Sequence, residues 1–219
     1  KLRVVGYRLD LERFAPARSE AVRMALRAQL GLSPDDFTLL YLGALLRDKG
    51  VYDLVEALRL LSSSHPSARL VVVGGGPERA GLEREAASAG LKDKVVFVGQ
   101  VEHQEVPRYL AVADVFVFPT KHEGWGRVIS EAMVMSLPVI VSNVGGAPEL
   151  ITSGENGLVL ETDTAEEISA AVAGLIEDPK LRRRLGVRAR EHAEREWPFD
   201  KMADKLVSIY VDAVRDANR

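Results

Sequence analysis

Two carboxylates eight residues apart stand out in the segment "EGWGRVISE", residues 123–131. Glu123 and Glu131 enclose a Gly-Trp-Gly triplet and the start of an apolar run. Such a pair could supply a general acid and base, hold a metal, or bind ligand hydroxyls. The spacing alone is weak evidence, because Glu12 and Glu20 repeat it in an ordinary polar segment. The surroundings of the pair must therefore decide which chemistry is available.

The Gly-Trp-Gly triplet between the two acids is suited to bind an anion. Gly124, Trp125 and Gly126 directly precede a predicted helix over residues 127–136. Glycine lets backbone amides come close to an anion, and a helix N-terminus adds partial positive charge. The triplet therefore predicts a phosphate cradle. The ring of Trp125 could stack on a sugar or nucleoside or could cover the core, and the sequence does not decide between these.

Glu131 falls about one turn into that helix, among apolar neighbours such as Ile129 and Met133. A carboxylate in apolar surroundings needs hydrogen-bond donors, and sugar or ribose hydroxyls would supply them. An acid near a helix start, stabilised by the helix dipole, fits Glu131 equally well. His122, next to Glu123, is assigned no role, because a single loop histidine is more often solvated.

Two cations occur in "RDKG", residues 47–50, between a predicted strand and a helix from Val51. Arg47 and Lys49 could neutralise a diphosphate beside the helix N-terminus. Taken by itself, the segment fits ordinary solvated loop charge at least as well.

Two further glycine loops are less specific. "VVVGGGPER", residues 71–79, lacks the third glycine of a dinucleotide fingerprint, because Arg79 occupies that position, and no acidic residue ends the following strand. These glycines favour a tight strand-to-helix turn, and a nicotinamide cofactor is disfavoured. In "NVGGAPELI", residues 143–151, Gly145 and Gly146 suit either a close approach to ligand or a structural turn.

Composition narrows the class of protein. The chain has 219 residues, 47% of them apolar, and a net charge of −3 from 29 basic and 32 acidic side chains. This balance gives no reason to expect nucleic-acid binding. The absence of cysteine excludes disulfides and thiolate metal sites, and the four histidines show no metal-ligand spacing. No apolar run approaches the roughly 18 residues that span a bilayer, and no signal peptide precedes the first strand, so a soluble, cytoplasmic protein is expected.

The middle of the chain alternates short apolar runs with helical patterns. The runs are continuous rather than alternating, which is typical of parallel strands buried on both faces. Repeated β-α units predict an α/β fold with a doubly wound, parallel, six-stranded Rossmann-like sheet, helices on both faces and extra C-terminal helices. The predicted strands cover residues 37–43, 68–76, 93–99, 114–120, 137–146 and 156–161.

The chain is expected to divide into three parts. Residues 1–36 form a hinge strand and a helix whose N-cap is Ser19, residues 37–177 form the Rossmann-like domain, and residues 178–219 form the C-terminal helices. A doubly wound sheet binds ligands beyond the carboxyl ends of its strands. A cleft is therefore expected between the loops at 43–50, 99–104, 119–126 and 142–147, with a further candidate loop at 74–77.

Together these segments resemble the retaining, group 1 glycosyltransferases of the GT-B type, which pair two Rossmann-like domains and include mannosyltransferases. The matching segments occur in the family's order and cover about residues 39–160. They are "LGALLRDKG", "VVVGGGPE", "VVFVGQV", "ADVFVFPTKHEGWGRVISEAMVMSLPVIVSNVGGAPELI" and "ENGLVL". The terminal "REW…DKMADKLVSIY" also fits. The resemblance implies that this chain is only the C-terminal, donor-binding domain of a GT-B fold, and that the N-terminal acceptor domain lies outside it.

The resemblance also implies roles for single residues. Lys49, with Gly43 and Arg47 nearby, would bind the donor diphosphate, and Glu123 would contact hydroxyls of the donor sugar. The amides of Gly124, Trp125 and Gly126 would hold phosphate or sugar oxygens. Glu131 would hold the ribose hydroxyls, and the backbone near Val101 would meet the base.

The same resemblance implies the reaction and the partners. A sugar would pass from a nucleotide diphosphate-sugar to a glycan or lipid-linked acceptor with retention of configuration, with Glu123 and Lys49 as the catalytic residues. No metal or other cofactor is expected, because cations and amides would stabilise the leaving diphosphate. The isolated domain would bind donor without turnover. The full-length protein could associate peripherally with the inner membrane face.

Two positions depart from the family pattern. Ala44 stands where the family often has arginine, and Tyr7-Arg8 stands where Asn-Gly is usual. These departures keep open a noncatalytic nucleotide-sugar-binding module. A nucleotide-sugar epimerase is a weaker alternative, because that family lacks the Glu-x7-Glu pattern. If the last helix packs toward a second domain, some of its apolar residues should be exposed here; the candidates are Trp197, Phe199, Met202, Leu206 and Tyr210.

Overall fold

The computed structural model describes residues 9–197 and 199–217. Its parallel strands are β1 (Phe37–Leu42), β2 (Ala68–Val73), β3 (Val95–Gly99), β4 (Val115–Phe118), β5 (Val139–Ser142) and β6 (Leu158–Leu160). Its α-helices are α1 (Glu20–Gln29), α2 (Val51–Leu61), α3 (Arg79–Ser88), α4 (Val106–Ala111), α5 (Arg127–Val134), α6 (Ala147–Leu150), α7 (Ala165–Glu177), α8 (Pro179–Glu196) and α9 (Phe199–Ala217). The predicted hinge strand near the start, and Tyr7-Arg8, lie outside the described residues.

The six strands form one sheet in the order β3-β2-β1-β4-β5-β6. Every neighbouring pair is parallel, for example β1 with β2 in the register that sets Phe37 opposite Ala68. Helix α2 packs against α3 and α7, whereas α1 packs against α4 and α5 against α8. The predicted doubly wound parallel sheet with helices on both faces is confirmed.

The continuous apolar runs are explained by the burial of the central strands. All residues of β1, β4 and β5 are buried, so neither face of these strands has room for an alternating polar position. Burial of this kind is the main favourable contribution to the stability of such a sheet.

The strands are shorter than predicted, because glycine and proline segments leave the sheet at their carboxyl ends. Gly74 follows β2 directly and has a φ of 137°. A Cβ atom there would lie 1.9 Å from the carbonyl oxygen of Gly43, which follows β1. The "GGG" segment therefore serves close backbone packing between two strand ends, in agreement with the predicted tight turn.

The helix starts agree with the sequence in part. Ser19 does occupy the N-cap of α1 with extended backbone, but its side chain makes no capping hydrogen bond. Thr164 and Asp178, in contrast, cap α7 and α8 by accepting from backbone N–H groups of the first turn. Pro77 precedes α3 by two residues.

Helix α9 exposes part of its apolar surface. Trp197, just before the helix, is buried, whereas Leu206 and Tyr210 are exposed. Val207 and Val211 are exposed as well, and the spacing of the four residues places them on one face. The side chains of Phe199 and Met202 fall outside what the structure describes. Within the described residues, no helix has the length and apolar content to cross a bilayer.

A buried arginine ties the start of the sheet to α1. Arg27 is 1% exposed, and its guanidinium donates to the Thr38 hydroxyl at 3.0 Å and to the Val112 carbonyl at 2.8 Å. It also donates to the carbonyls of Ser33 at 2.8 Å and Asp36 at 2.6 Å. The Asp114 carboxylate lies 3.5 Å away and accepts from the Thr38 amide at 2.8 Å. The hydrogen bonds of the Arg27 guanidinium thereby link α1, β1 and the segment that leads into β4.

Candidate functional site

The carboxyl ends of β1 and β4 lie side by side, because the two strands pair in parallel, and a crevice opens between the loops that follow them. Chain connections run from β1 toward β2 on one side and from β4 toward β5 on the other, so the strand order reverses between them. This reversal is where open α/β sheets bind ligands. Lys49 lies on the loop after β1 and Glu123 on the loop after β4, and the two side chains meet there.

The Lys49–Glu123 pair is held by further hydrogen bonds. The Lys49 ammonium is 3.2 Å from Glu123 Oε2 and donates to the His122 carbonyl at 2.5 Å. Glu123 Oε1 accepts from the Gly124 amide at 2.9 Å. Both side chains are largely shielded, with 18% and 24% of their surface exposed. A cation and a carboxylate are thus fixed side by side at the mouth of the crevice.

An open cavity of about 620 Å³ lies over this pair. A volume of this size suits a small organic ligand. Its lining comes from the loops after β1, β4 and β5, namely Asp48, Lys49, Lys121, His122, Glu123, Gly124, Val144 and Gly145. Three of the four cleft loops predicted from the sequence therefore converge.

Glu131 is buried in the middle of α5, with 2% of its side chain exposed. Its Oε1 atom has no hydrogen-bond partner. Three basic side chains surround that oxygen just beyond hydrogen-bond distance: His103 at 3.6 Å, Arg13 at 3.9 Å and Arg127 at 4.0 Å. Buried carboxylate oxygens are seldom left without a donor. A ligand hydroxyl would supply the donor that Glu131 Oε1 lacks.

His103 is neutral in this group. Its Nε2 atom accepts from Arg13 Nη1 at 2.6 Å and faces Arg127 Nη2 at 3.0 Å, and its carbonyl accepts from Arg13 at 2.7 Å. Burial, then the positive charges of Arg13 and Arg127, lower the pKa of the imidazole. Its approach to Glu131 is therefore a contact of a neutral ring with a carboxyl group, and only the two arginines offer opposite charge.

The predicted site residues are not all brought together. Arg47 is mostly exposed; its guanidinium stacks over the Tyr52 ring at 4.9 Å and lies 3.7 Å from Glu78. It therefore points away from the Lys49–Glu123 pair. Gly43 donates to the Val73 carbonyl at 3.0 Å, and Val101 packs half-buried against the core.

The Gly-Trp-Gly triplet lies where the sequence places it, at the entry to α5. Gly126 is the N-cap of the helix with a φ of 72°. The first amides of α5 lack intrahelical partners, as at any helix start. The ring of Trp125 is half-buried against the core, although its buried indole nitrogen has no partner. The core contact accounts for the ring position, while the unpaired nitrogen leaves one donor for a ligand.

Three residues of the site were missed from the sequence: Arg13, His103 and Arg127. Arg127 precedes Glu131 by one helical turn, so an i,i+4 pairing rule could have found it. His103 lies on a loop already assigned to the cleft, without a reason to choose it. Arg13 comes from the segment before α1, and its contact with His103 spans 90 positions of sequence, so no local pattern indicates it.

Gly145 holds the loop after β5 against the loop that carries Glu123. It has a φ of 56°, and a Cβ atom there would lie 2.2 Å from the Glu123 carbonyl oxygen. The neighbouring Gly146 amide donates to the Gly124 carbonyl at 2.7 Å. Gly145 and Gly146 therefore serve close backbone packing that supports the loop carrying Glu123, and Gly145 also lines the cavity.

Gly145→Ala is therefore expected to destabilise the protein by about 2–4 kcal/mol, since left-handed backbone strain adds to a steric clash. Gly154→Ala is the matched control, because Gly154 has a φ of 81° and no atom within 4 Å of a new Cβ. It should cost only about 1–2 kcal/mol, from strain alone. Urea unfolding of both variants measures the difference; equal losses would contradict the packing role.

Glu131→Gln is expected to stabilise the ligand-free protein at neutral pH. Burial raises the pKa of Glu131, and Arg13 and Arg127 only partly oppose it. Because the folded pKa exceeds the unfolded one, the contribution of Glu131 to stability is full below about pH 4. It is lost as the pH rises through the raised pKa.

Melting temperatures of wild type and Glu131→Gln should therefore coincide near pH 4, and the variant should gain a few degrees by pH 8. Glu149→Gln, which removes an exposed carboxylate on α6, controls for the change in net charge. A pH-independent difference between wild type and Glu131→Gln would contradict the prediction.

The described residues contain no group of three or more His, Cys, Asp or Glu side chains that could hold a metal ion. The charged side chains that line the cavity are those of Asp48, Lys49, Lys121 and Glu123.

Comparison with known proteins identifies relatives along nearly the whole chain. The family model described as "Glycosyl transferases group 1" matches residues 22–192. The chain is 35% identical over 208 residues to the GDP-mannose-dependent alpha-(1-6)-phosphatidylinositol monomannoside mannosyltransferase of Mycobacterium tuberculosis. This match covers 92% of the chain and 53% of the relative. The chain spans about half the length of the curated relatives it matches.

Solved structures agree with this comparison. Anabaena HepE in complex with UDP-glucose is similar with a TM-score of 0.84 and 25% identity, over 94% of this chain and 57% of that one. The C-terminal domain of a glycosyl transferase group 1 family protein (LpcC) from Francisella tularensis gives a TM-score of 0.77 at 25% identity. That match covers 87% of this chain and 99% of the solved domain. The predicted resemblance is thereby confirmed.

Proposed function

The chain belongs to the group 1 glycosyltransferase family, and we propose that it is the donor-binding half of an enzyme that transfers a sugar from a nucleotide diphosphate-sugar. One observation carries the proposal: the buried Glu131 Oε1 atom has no hydrogen-bond donor, and it lies beside three basic side chains on the helix that follows β4. A carboxylate in that position suits a pair of adjacent hydroxyls, and a ribose offers such a pair.

The two ends of the donor molecule are proposed to bind at the carboxylates of Glu123 and Glu131. The ribose lies at Glu131 and the donor sugar at Glu123, with the diphosphate between them. Lys49, which is held beside Glu123, and the first amides of α5 are proposed to bind the phosphate charge. One relative is GDP-mannose-dependent by name and one similar structure is a complex with UDP-glucose, so the proposal is made for nucleotide sugars as a class.

Catalysis is proposed to rest on fixed charge. As the bond from the sugar to the diphosphate breaks, negative charge grows on the leaving phosphate. The Lys49 ammonium is already fixed in position by the Glu123 carboxylate and the His122 carbonyl. A cation that needs no reorganisation lowers the barrier for such a step. We propose front-face attack with retention, in which Glu123 orients sugar hydroxyls and forms no covalent intermediate, and no metal is required.

The acceptor is proposed to bind to a second domain. Because the chain spans about half of its relatives, contacts to a glycan or lipid-linked acceptor are assigned to the other half. The exposed apolar face of α9, formed by Leu206, Val207, Tyr210 and Val211, is the proposed contact surface for that domain. The chain alone should then bind donor without turnover.

Calorimetric titration with UDP- and GDP-sugars and with the free nucleoside diphosphates tests the proposal. At least one nucleotide should bind, and Glu131→Ala should weaken binding of the nucleoside diphosphate at least tenfold, since hydrogen bonds to a charged group are lost. Glu149→Ala, which removes an exposed acid on α6, should leave the affinity unchanged. Failure of every nucleotide to bind would overturn the proposal.

A noncatalytic nucleotide-sugar-binding module is a second candidate. Two observations favour it: Ala44 offers no charge at the end of β1, and Arg47 is directed to Glu78 and Tyr52. Lys49 is then the main cation contributed by that loop. A turnover assay on the full-length protein separates the candidates, because a module of this kind would bind donor and transfer nothing.

A further inference from the structure

A second cavity, of about 630 Å³, lies at the opposite edge of the sheet. It is bounded by the residues that lead into β4 and β5, including Asp114 and Pro138, by the turn Pro16–Arg18 and by α8. Since all strands are parallel, this is the edge where they begin. None of its lining residues belongs to the cleft around Lys49 and Glu123.

The cavity is strongly basic. Its lining residues include five arginines and one acidic residue, Asp114; the arginines are Arg18, Arg23, Arg182, Arg183 and Arg190. That carboxylate is already shared, because Arg23 lies 2.9 Å and the buried Arg27 3.5 Å from it. Most of the positive charge at the cavity is thus left without a counter-charge in the lining.

The individual arginines differ in how they are held. Arg190 pairs with Glu194 at 2.6 Å outside the cavity, and Arg182 donates to the Leu175 carbonyl at 3.0 Å. Arg18 has a buried Nε atom without a hydrogen-bond partner. Burial and the charge of Arg190 lower the pKa of Arg18, and the carboxylate of Glu194 partly opposes this lowering. An acceptor oxygen beside Arg18 would satisfy the unmet Nε donor.

The remaining lining is apolar and includes Leu110, Met135 and Leu137. Apolar walls exclude water and strengthen the attraction between a bound anion and the guanidinium groups. Several arginines around one point fit a phosphate, which offers three or four acceptor oxygens to the planar guanidinium forks. A single carboxylate would satisfy fewer of these donors.

We infer that this basic cavity is a second ligand site, separate from the donor cleft, that binds a phosphate or pyrophosphate group. The phosphate could belong to a free metabolite or to a lipid headgroup. The outer face of α8 beside the cavity carries Lys180, Arg184 and Arg188 around the exposed Val187, so a headgroup could reach it. The site does not depend on the proposed function, because it shares no residue with the donor cleft.

Methionine-methyl NMR with pyrophosphate as the probe tests the inference. Met135 lines the cavity, so ¹³C-methyl labelling reports binding at this place alone. Pyrophosphate should shift the Met135 signal saturably. The double variant Arg18→Gln/Arg183→Gln should weaken this binding about tenfold or more, since charge-assisted hydrogen bonds are lost. Arg84→Gln, an exposed arginine on α3, is the matched control and should change nothing.

The same titration in Lys49→Gln distinguishes this cavity from the donor cleft. The Met135 response should persist there, and its loss would assign the signal to the cleft and overturn the inference. No saturable Met135 shift at millimolar pyrophosphate, or equal affinity in wild type and double variant, would overturn it as well. A failure of nucleotide binding, in contrast, would bear only on the proposed function.

Vesicle sedimentation identifies the source of the phosphate. Binding to phosphatidylglycerol vesicles, but not to phosphatidylcholine vesicles, that pyrophosphate displaces would support the inference with a lipid headgroup as ligand. A Met135 response to pyrophosphate without sedimentation would support it with a free phosphate compound as ligand.

Discussion

Lys49→Gln in the full-length protein is expected to lower the rate of sugar transfer about 10²- to 10³-fold, the usual cost of removing one preorganised group that stabilises developing charge. Lys49 is the cation held against Glu123 at 3.2 Å, with only 18% of its side chain exposed. Without it, Glu123 would also present an uncompensated negative charge to the donor diphosphate. Binding and catalysis should both suffer, and the larger part of the loss should appear in kcat.

Lys121→Gln is the matched control for this experiment. Lys121 lines the same cavity, but its ammonium pairs with Asp53 at 3.1 Å and about half of its side chain is exposed. An exposed, paired lysine contributes little fixed charge to the crevice, so this variant should lose less than about tenfold in rate. Steady-state kinetics on both variants decide the matter. Equal losses, or a Lys49→Gln enzyme within threefold of wild type, would contradict the assigned role.

Arg27→Met is expected to destabilise the fold by about 3–5 kcal/mol, the typical result of removing one partner from a buried charged network. The substitution would leave four acceptors without their donor, namely Thr38, Val112, Ser33 and Asp36. It would also leave the shielded Asp114 carboxylate with Arg23 as its remaining ion-pair partner at 2.9 Å.

Arg108→Met on α4 removes an arginine that pairs with Glu105 at 2.9 Å on the surface. An exposed pair of this kind is worth about 1 kcal/mol or less. Denaturant unfolding of the two variants should therefore differ by several kcal/mol. A loss for Arg27→Met as small as that for Arg108→Met would show that the carbonyl groups around Arg27 find other donors.

The sheet could be predicted because its strands are buried on both faces. A continuous apolar run such as "DVFVFPT", placed between predicted helices, indicates a parallel strand that is buried on both faces. The structure agrees, because β4 is buried throughout. The strand order could not be read from periodicity, since pairing of β1 with β4 depends on contacts between distant segments. The strand ends were overestimated where glycines such as Gly74 follow apolar residues without changing the apolar pattern.

Site residues could be predicted where the sequence of a single loop was enough to identify them. Lys49 and Glu123 were placed on loops after strands, and the structure brings them to 3.2 Å. The burial of Glu131 followed from its apolar neighbours. Arg13 could not be found, because its role depends on a turn before α1 reaching across to the loop after β3. Arg47 was grouped with Lys49 by sequence, but in the structure its guanidinium contacts Glu78 and Tyr52 instead.

The contact between Lys49 and Glu123 also bears on the order in which the chain folds. The two residues are 74 positions apart, so their contact closes a long loop that contains β2, β3 and β4. Pairing of β1 with β2 closes a much shorter one, and long-range closure is the slower event. Ligand binding should consequently appear with the last refolding phase, after most secondary structure has formed. Binding of the proposed nucleotide ligand would thus report when the contact between Lys49 and Glu123 has formed.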